Sequence, residues 1–279
     1  MLRTAIACVA ALAASTLMAA APALEVVKTI VSQSDGGAPL PPGFVHVTGE
    51  VLFLTFSVNG FQKDASDKVR VAYTVDTLDP KGVKTTETVA NEVVAELAPQ
   101  DKEWAPKVRM EVTLPPLAHS GAYRVVIKVK DLVGKTEAEK TVPIEVQGRM
   151  VDPSPTLTVR NFRFFRGEDD TEPLAKPIYR AGDPVWARFD IIGYQYGKGN
   201  AIDVVYGVSV NTMSGKVLWS QAEAAVERSQ SFYPKPWVPG AMSITLGKDF
   251  KPGDYTIGVQ VKDALGNQTF EEKYVFTVE

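Results

Sequence analysis

The chain has 279 residues, with 30 Lys and Arg against 33 Asp and Glu, a formal net charge of −3, two histidines and one cysteine. A phosphate-binding surface needs a basic stripe, and neither sign of charge is concentrated here, so nucleic acid is excluded as a partner. One cysteine excludes an internal disulfide.

Arg3 precedes an apolar run to about Met18, followed by small residues ending in Ala21-Pro22-Ala23. That is the layout of a secretory signal peptide over residues 1–23, cut after Ala23. The run is shorter than the roughly 20 residues a spanning helix needs, and no other segment approaches that length, so no membrane span is expected after cleavage. Cys8 lies inside the apolar run and leaves with it. The exported chain then has no thiol for a nucleophile or for a Cys-ligated metal or cluster. Its stability must come from core burial, which two domains of about 125 residues can supply.

Leu24 to Ser32 is expected to form a first strand, and Ser34 to Gly43 a Gly/Pro loop. Gly49 to Val58 is nearly continuous in apolar residues, as a buried strand would be. Lys68 to Leu78 alternates through Val69, Val71, Tyr73 and Val75, with one face for the core. Val83 to Leu97 is ambiguous: its Thr-rich first half favours a strand, and Asn91 to Leu97 would also suit one helical turn. Val108 to Leu114 alternates again, and Tyr123 to Lys130 with Thr136 to Val146 forms a closing hairpin.

Gly121 to Gln147 and Gly253 to Glu279 are one stretch written twice, 132 positions apart, sharing Tyr123/Tyr255, Lys130/Lys262, Asp131/Asp263 and Gly134/Gly266. Upstream, at an offset of 133, Gly49/Gly182, Phe56/Phe189, Gly60/Gly193, Gln62/Gln195 and Gly82/Gly215 recur. The repeat therefore covers a whole domain. The expected fold is all-β: two tandem seven-stranded immunoglobulin-like β-sandwiches, residues 24–147 and 156–279, joined by a linker over residues 148–155.

A G-x-Y, alternating valines, K-D-x-x-G and a second alternating strand resemble the last hairpin of bacterial Ig-like, PKD-like and fibronectin type III-like modules. The resemblance implies the sandwich fold. It also places Tyr123 and Tyr255 at a tyrosine corner, where the hydroxyl ties back to nearby backbone. Such modules serve adhesion, sugar binding, spacing and enzyme accessory roles alike, so the resemblance implies no single function.

The duplication separates fold from function: what both copies share is best explained by the fold. Trp104 and Trp237 precede matching x-Pro bonds and read as structural. Asp131 and Asp263, each ahead of a Gly turn, read as acceptors for turn backbone rather than calcium ligands. Glu168, Asp169, Asp170 and Glu172 belong to copy two alone and would suit a cation, though an exposed acidic loop is usually only solvated. His46 and His119 are the two imidazoles, with Tyr179 and Lys251 opposite them in copy two; no G-x-S-x-G, H-E-x-x-H, GxGxxG or P-loop accompanies either.

The copy-specific aromatics are Tyr194 and Tyr196 in one turn of copy two, and Phe232, Tyr233 and Trp237 in another. Aromatic rings on Pro-stiffened loops build ligand grooves, and they also cap sandwich ends or pack domain junctions. These five residues are the candidate ligand-binding set. The expectation is an exported, periplasmic or extracellular, non-enzymatic binding or spacer protein without cofactor or metal. Its partner would be an envelope or extracellular protein, the alternative being a polysaccharide or surface polymer held by the copy-two aromatic loops.

Overall fold

The computed structural model describes residues 23–279, so the leader expectation, with Arg3 and Cys8, lies outside the described residues. Sixteen strands form four sheets, and no α-helix occurs among the described residues. In the first half, β1 (Glu25–Ser32), β3 (Val51–Asn59) and β6 (Lys107–Thr113) make a three-stranded sheet in the order β1-β3-β6. It faces a five-stranded sheet of β2 (Val45–Val47), β8 (Glu137–Gln147), β7 (Gly121–Asp131), β4 (Lys68–Leu78) and β5 (Val89–Glu96), in that order.

The second half repeats this strand for strand. The order β14 (Val238–Thr245), β11 (Pro184–Ile192), β9 (Thr158–Phe165) faces the order β10 (Ile178–Tyr179), β16 (Gln268–Val278), β15 (Gly253–Asp263), β12 (Ile202–Thr212), β13 (Val217–Ser229). Seven long strands in each half are thus joined by a short one, β2 or β10, that runs parallel to the last strand. The strand after β4 stays hydrogen-bonded to β4, and β13 likewise to β12. A constant-type immunoglobulin domain would instead pass that strand to the opposite sheet.

The alternation read from β4 is real burial: Val69, Val71 and Val75 lie inside with Phe56, Ile127 and Val129. The second core gathers Phe189, Val204, Val208, Ile257, Val261 and Phe276. Val83 to Leu97 departs from expectation in both parts. The Thr-rich half is a loop whose one ladder contact is the Leu78–Lys84 bridge, while Asn91 to Glu96 continues strand β5 against β4 rather than a helical turn. Val89–Glu96 has no fully buried residue, so no core-facing period marks it in the sequence.

The shared residues have shared physical duties. Tyr123 donates to the His119 carbonyl at 3.0 Å and Tyr255 to the Lys251 carbonyl at 2.9 Å, each four residues back, so both tyrosine corners are present. Gly60 and Gly193 take φ of +77° and +76° and lie against the backbone of Ala23 and Thr156, where a Cβ would collide. That is why glycine recurs there.

Asp131 and Asp263 are buried and tie two loops together. Asp131 accepts from the Val133 amide of its own turn at 3.0 Å and from the Gln62 amide across the sandwich end at 2.8 Å. Asp263 accepts from the amides of Leu265 and Gly266, both at 3.1 Å, from the Gln195 amide at 2.9 Å and from Gln268 Nε2 at 3.3 Å. The recurrence of Gln62 as Gln195 is the other end of this tie.

Asp263→Ala would strip acceptors from buried donors and is expected to cost about 3 kcal/mol. Glu139→Ala, at an exposed cross-strand pair with Lys128, should stay within about 0.5 kcal/mol. Chemical denaturation midpoints of the two variants provide the comparison.

Candidate functional site

The candidate aromatics fall on two loops of the second sandwich, and hydrogen bonds hold the loops to each other. Tyr194 donates to the Lys235 carbonyl at 2.5 Å, and Tyr196 donates to the same oxygen. Asn200 Nδ2 reaches the Phe232 carbonyl at 2.6 Å, and Lys235 Nζ bonds Glu227 Oε1 at 2.7 Å and Ser229 Oγ at 3.0 Å. Pro234 and Pro236 stiffen what lies between. The segment 231–237 is therefore a preformed plug.

The plug meets the first sandwich. Tyr233 packs against that sandwich's core, and its hydroxyl donates at 3.0 Å to Oδ2 of Asp79, a residue 5% exposed. The other Asp79 oxygen accepts from the amides of Lys81 at 2.9 Å and Val83 at 2.8 Å, closing the turn after β4. Burial, with the Asp79 carboxylate as hydrogen-bond partner, pushes the Tyr233 phenol far above its ordinary range.

Trp237, 2% exposed, packs with Val151 and Ile192, with Leu117 alongside, and its ring centroid lies 5.7 Å from that of His119. The first two residues of the connecting segment bind one sandwich each. Gly148 exchanges hydrogen bonds with Ser120 Oγ, and Arg149 pairs with buried Asp190, which also accepts from Asn161 Nδ2 at 2.8 Å.

Of the five candidates, Tyr194 and Trp237 are thus enclosed, Tyr233 is committed to Asp79, and Tyr196 and Phe232 remain 42% and 50% exposed. Phe232, Tyr233 and Pro234 line a mostly apolar cleft of about 270 Å³ whose opposite wall is Thr85, Thr86, Pro115, Pro116 and Leu117. Trp104, the counterpart of Trp237, stands edge-on to Phe61 with 5.8 Å between centroids.

The other polar candidates have local partners. Asp170 accepts from the amides of Arg166 at 3.1 Å and Gly167 at 2.9 Å, and Arg188 donates to the carbonyls of Glu168 and Asp170. No three His, Cys, Asp or Glu side chains gather as a metal-ligand set among the described residues. His46 is buried with Nδ1 3.2 Å from Glu50 Oε2, and Tyr179, its counterpart, donates to the Phe165 carbonyl at 2.9 Å.

A feature the sequence reading passed over lies on the open side of the second sandwich. β13 runs 13 residues and ends its sheet, and its first three residues, Val217, Leu218 and Trp219, are 56%, 42% and 42% exposed. Trp219 and Gln221 turn inward beyond β14, the end of the facing sheet, and with Val210, Ile244 and Phe250 line a lateral cleft of about 390 Å³. The pairing with β12 shifts register twice, once at Leu218 between Val210 and Asn211 and again between Tyr206 and Val208, where Gly207 lies opposite the larger bulge. A Cβ on Gly207 would strike the Ala222 carbonyl. That larger bulge divides the apolar start of β13 from its charged end, where Arg228 pairs with Asp203 and Glu227 with Lys235. The first sandwich has Thr86 where the second has Trp219, and that difference at the repeat offset was the available signal.

Truncating Trp237 to Ala is expected to destabilise the chain by about 3–5 kcal/mol through the cavity it leaves. Phe232→Ala should stay within about 0.5 kcal/mol. Thermal unfolding of both variants makes the test.

No family model matches this chain, and neither does any curated protein. Solved structures do match, distantly. The C-terminal domain of the AgI/II polypeptide BspA of Streptococcus agalactiae is 11% identical, with 91% of this chain and 99% of that one covered, at a TM-score of 0.31. A second BspA C-terminal structure is 11% identical over 92% of this chain and 100% of its own, at 0.29. A family 123 glycoside hydrolase from Clostridium perfringens is 11% identical over 44% of this chain and 27% of its own, at 0.31. No helix among the described residues is long and apolar enough to cross a membrane.

Proposed function

We propose that this chain is an exported, non-enzymatic binding protein of the cell envelope that recognises another protein by strand addition at the free edge of β13. The observation that carries this reading is the start of β13, where Val217, Leu218 and Trp219 stand exposed in succession on a terminal strand. A terminal strand presents unpaired N–H and C=O groups, and soluble proteins usually blunt such edges with charge, bulges or brevity. In the first sandwich β5 follows that practice: it is 8 residues long and carries Glu92 and Glu96. β13 has one register shift at Leu218 and a second beside Ala222, but its charges stand only in the second half, and Val217 to Trp219 carry none.

An extended partner segment would take main-chain hydrogen bonds from that edge and set alternate side chains against Trp219 in the lateral cleft. The segment from Ser231 to Trp237 supports the same reading indirectly. Its aromatics are spent mainly on joining the sandwiches, which leaves the sheet edges as the free recognition surface. A second reading, binding of a carbohydrate or surface polymer, draws on exposed Phe232 at the rim of the cleft between the sandwiches.

Affinity capture from an envelope extract, compared between the unaltered chain and Trp219→Lys, tests the proposal. A lysine on the open edge should weaken capture of the partner at least tenfold, about 1.4 kcal/mol, with little change in thermal stability. Undiminished capture by Trp219→Lys would refute strand addition at β13. Glycan-array binding that Phe232→Ala abolishes and Trp219→Lys leaves intact would select the second reading.

A further inference from the structure

We infer that the joint between the sandwiches is a pH-sensitive hinge, in which protonation of His119 loosens the seat of Trp237 and frees the two halves to swing. The inference stands independently of strand addition at β13. His119 lies in the loop between β6 and β7, its ring tilted 50° to that of Trp237, which is almost wholly enclosed. Its Nδ1 is shielded from solvent and has no hydrogen-bond partner among the described residues. A neutral imidazole tolerates this by leaving that nitrogen as a bare lone pair. An imidazolium cannot, because both ring nitrogens are then donors and the charge is desolvated.

The groups around the ring offer the proton no home. Asp79 is the nearby anion, but Oδ1 already accepts from Lys81 and Val83 and Oδ2 from Tyr233. Lys81 repels a second positive charge. The Tyr123 hydroxyl is turned to the His119 carbonyl, the Tyr233 hydroxyl to Asp79, and the Arg149 guanidinium to Asp190. Burial lowers the His119 pKa, Lys81 lowers it further, and Asp79 opposes them in part.

The direction follows. A histidine whose closed-state pKa lies below its solvated value contributes fully to closure above the solvated value of about 6.5, and that contribution fades as pH falls through the lowered value. One proton can raise the open-to-closed ratio by at most about tenfold per pH unit. The counterpart of His119 is Lys251, at the end of the second sandwich remote from the joint, so the device is specific to the joint.

The test uses the whole chain, with its maximum dimension from small-angle X-ray scattering and its tryptophan emission followed from about pH 8 to about pH 5, where a histidine titrates. The unaltered chain and His46→Gln should lengthen as pH falls, with emission shifting to the red as Trp237 is exposed. His119→Gln should do neither, and Lys81→Gln should show a smaller response, which keeps the question answerable if His119→Gln does not fold. A constant maximum dimension in the unaltered chain, including one with fluorescence quenching alone, overturns the hinge. So does an acid response that persists in His119→Gln or grows in Lys81→Gln.

Discussion

A sheet of three strands cannot cover a sheet of five, and both sandwiches are built on that mismatch. The fifth strand of each wide sheet lies at the flank, where its inward side chains, Val93 and Ala95 in β5 and Ala224 and Ala225 in β13, are only partly buried against the core. In the first sandwich that strand is short, and its exposed apolar residues, Val89 and Val94, are separated from each other with Glu92 between them. In the second it is long and begins with Val217, Leu218 and Trp219, so the same architectural constraint produces a sticky edge and a lateral cleft.

The duplication distinguishes residues that make the fold from residues that use it. Asp131 and Asp263 are polar, conspicuous and twice present, and each clamps a hairpin turn to the loop after the second long strand of its sandwich. The tyrosine corners and the positive-φ glycines recur for equally local reasons. Tyr233, Asp79, His119 and Trp219 have no like residue at the matching places, and these form the joint and the open edge. Divergence between copies is therefore a guide to use that needs no second sequence.

Strands with one buried face were legible because burial imposes a two-residue period: Lys68 to Leu78 is a strand over the very residues its alternation marks. The closing hairpins and tyrosine corners were legible because their determinants are close in the chain. β5 was not, since an edge strand with no fully buried residue has only a faint period to read, and most of β13 is exposed as well. The joint was hidden differently. Tyr233 finds its acceptor 154 residues away at Asp79, and nothing near either residue announces the other. Only tertiary contact shows that, of the rings singled out, Tyr233 and Trp237 face the neighbouring sandwich while Tyr194 and Tyr196 bind the Lys235 carbonyl of their own.

The joint mates one end of the second sandwich with the opposite end of the first, and a contact between unlike ends would, if repeated, generate an open filament. The ends left free do not complete it. At the repeat offsets, Gln100 stands where Tyr233 would have to be, Thr212 where Asp79 would, and Lys251 where His119 would. A neighbouring molecule approaching head to tail therefore meets neither the phenol nor the carboxylate of the latch, and it finds an ammonium where Trp237 rests on an imidazole. The asymmetry that makes the latch is thus confined to the one joint, and the free ends carry neither half of it.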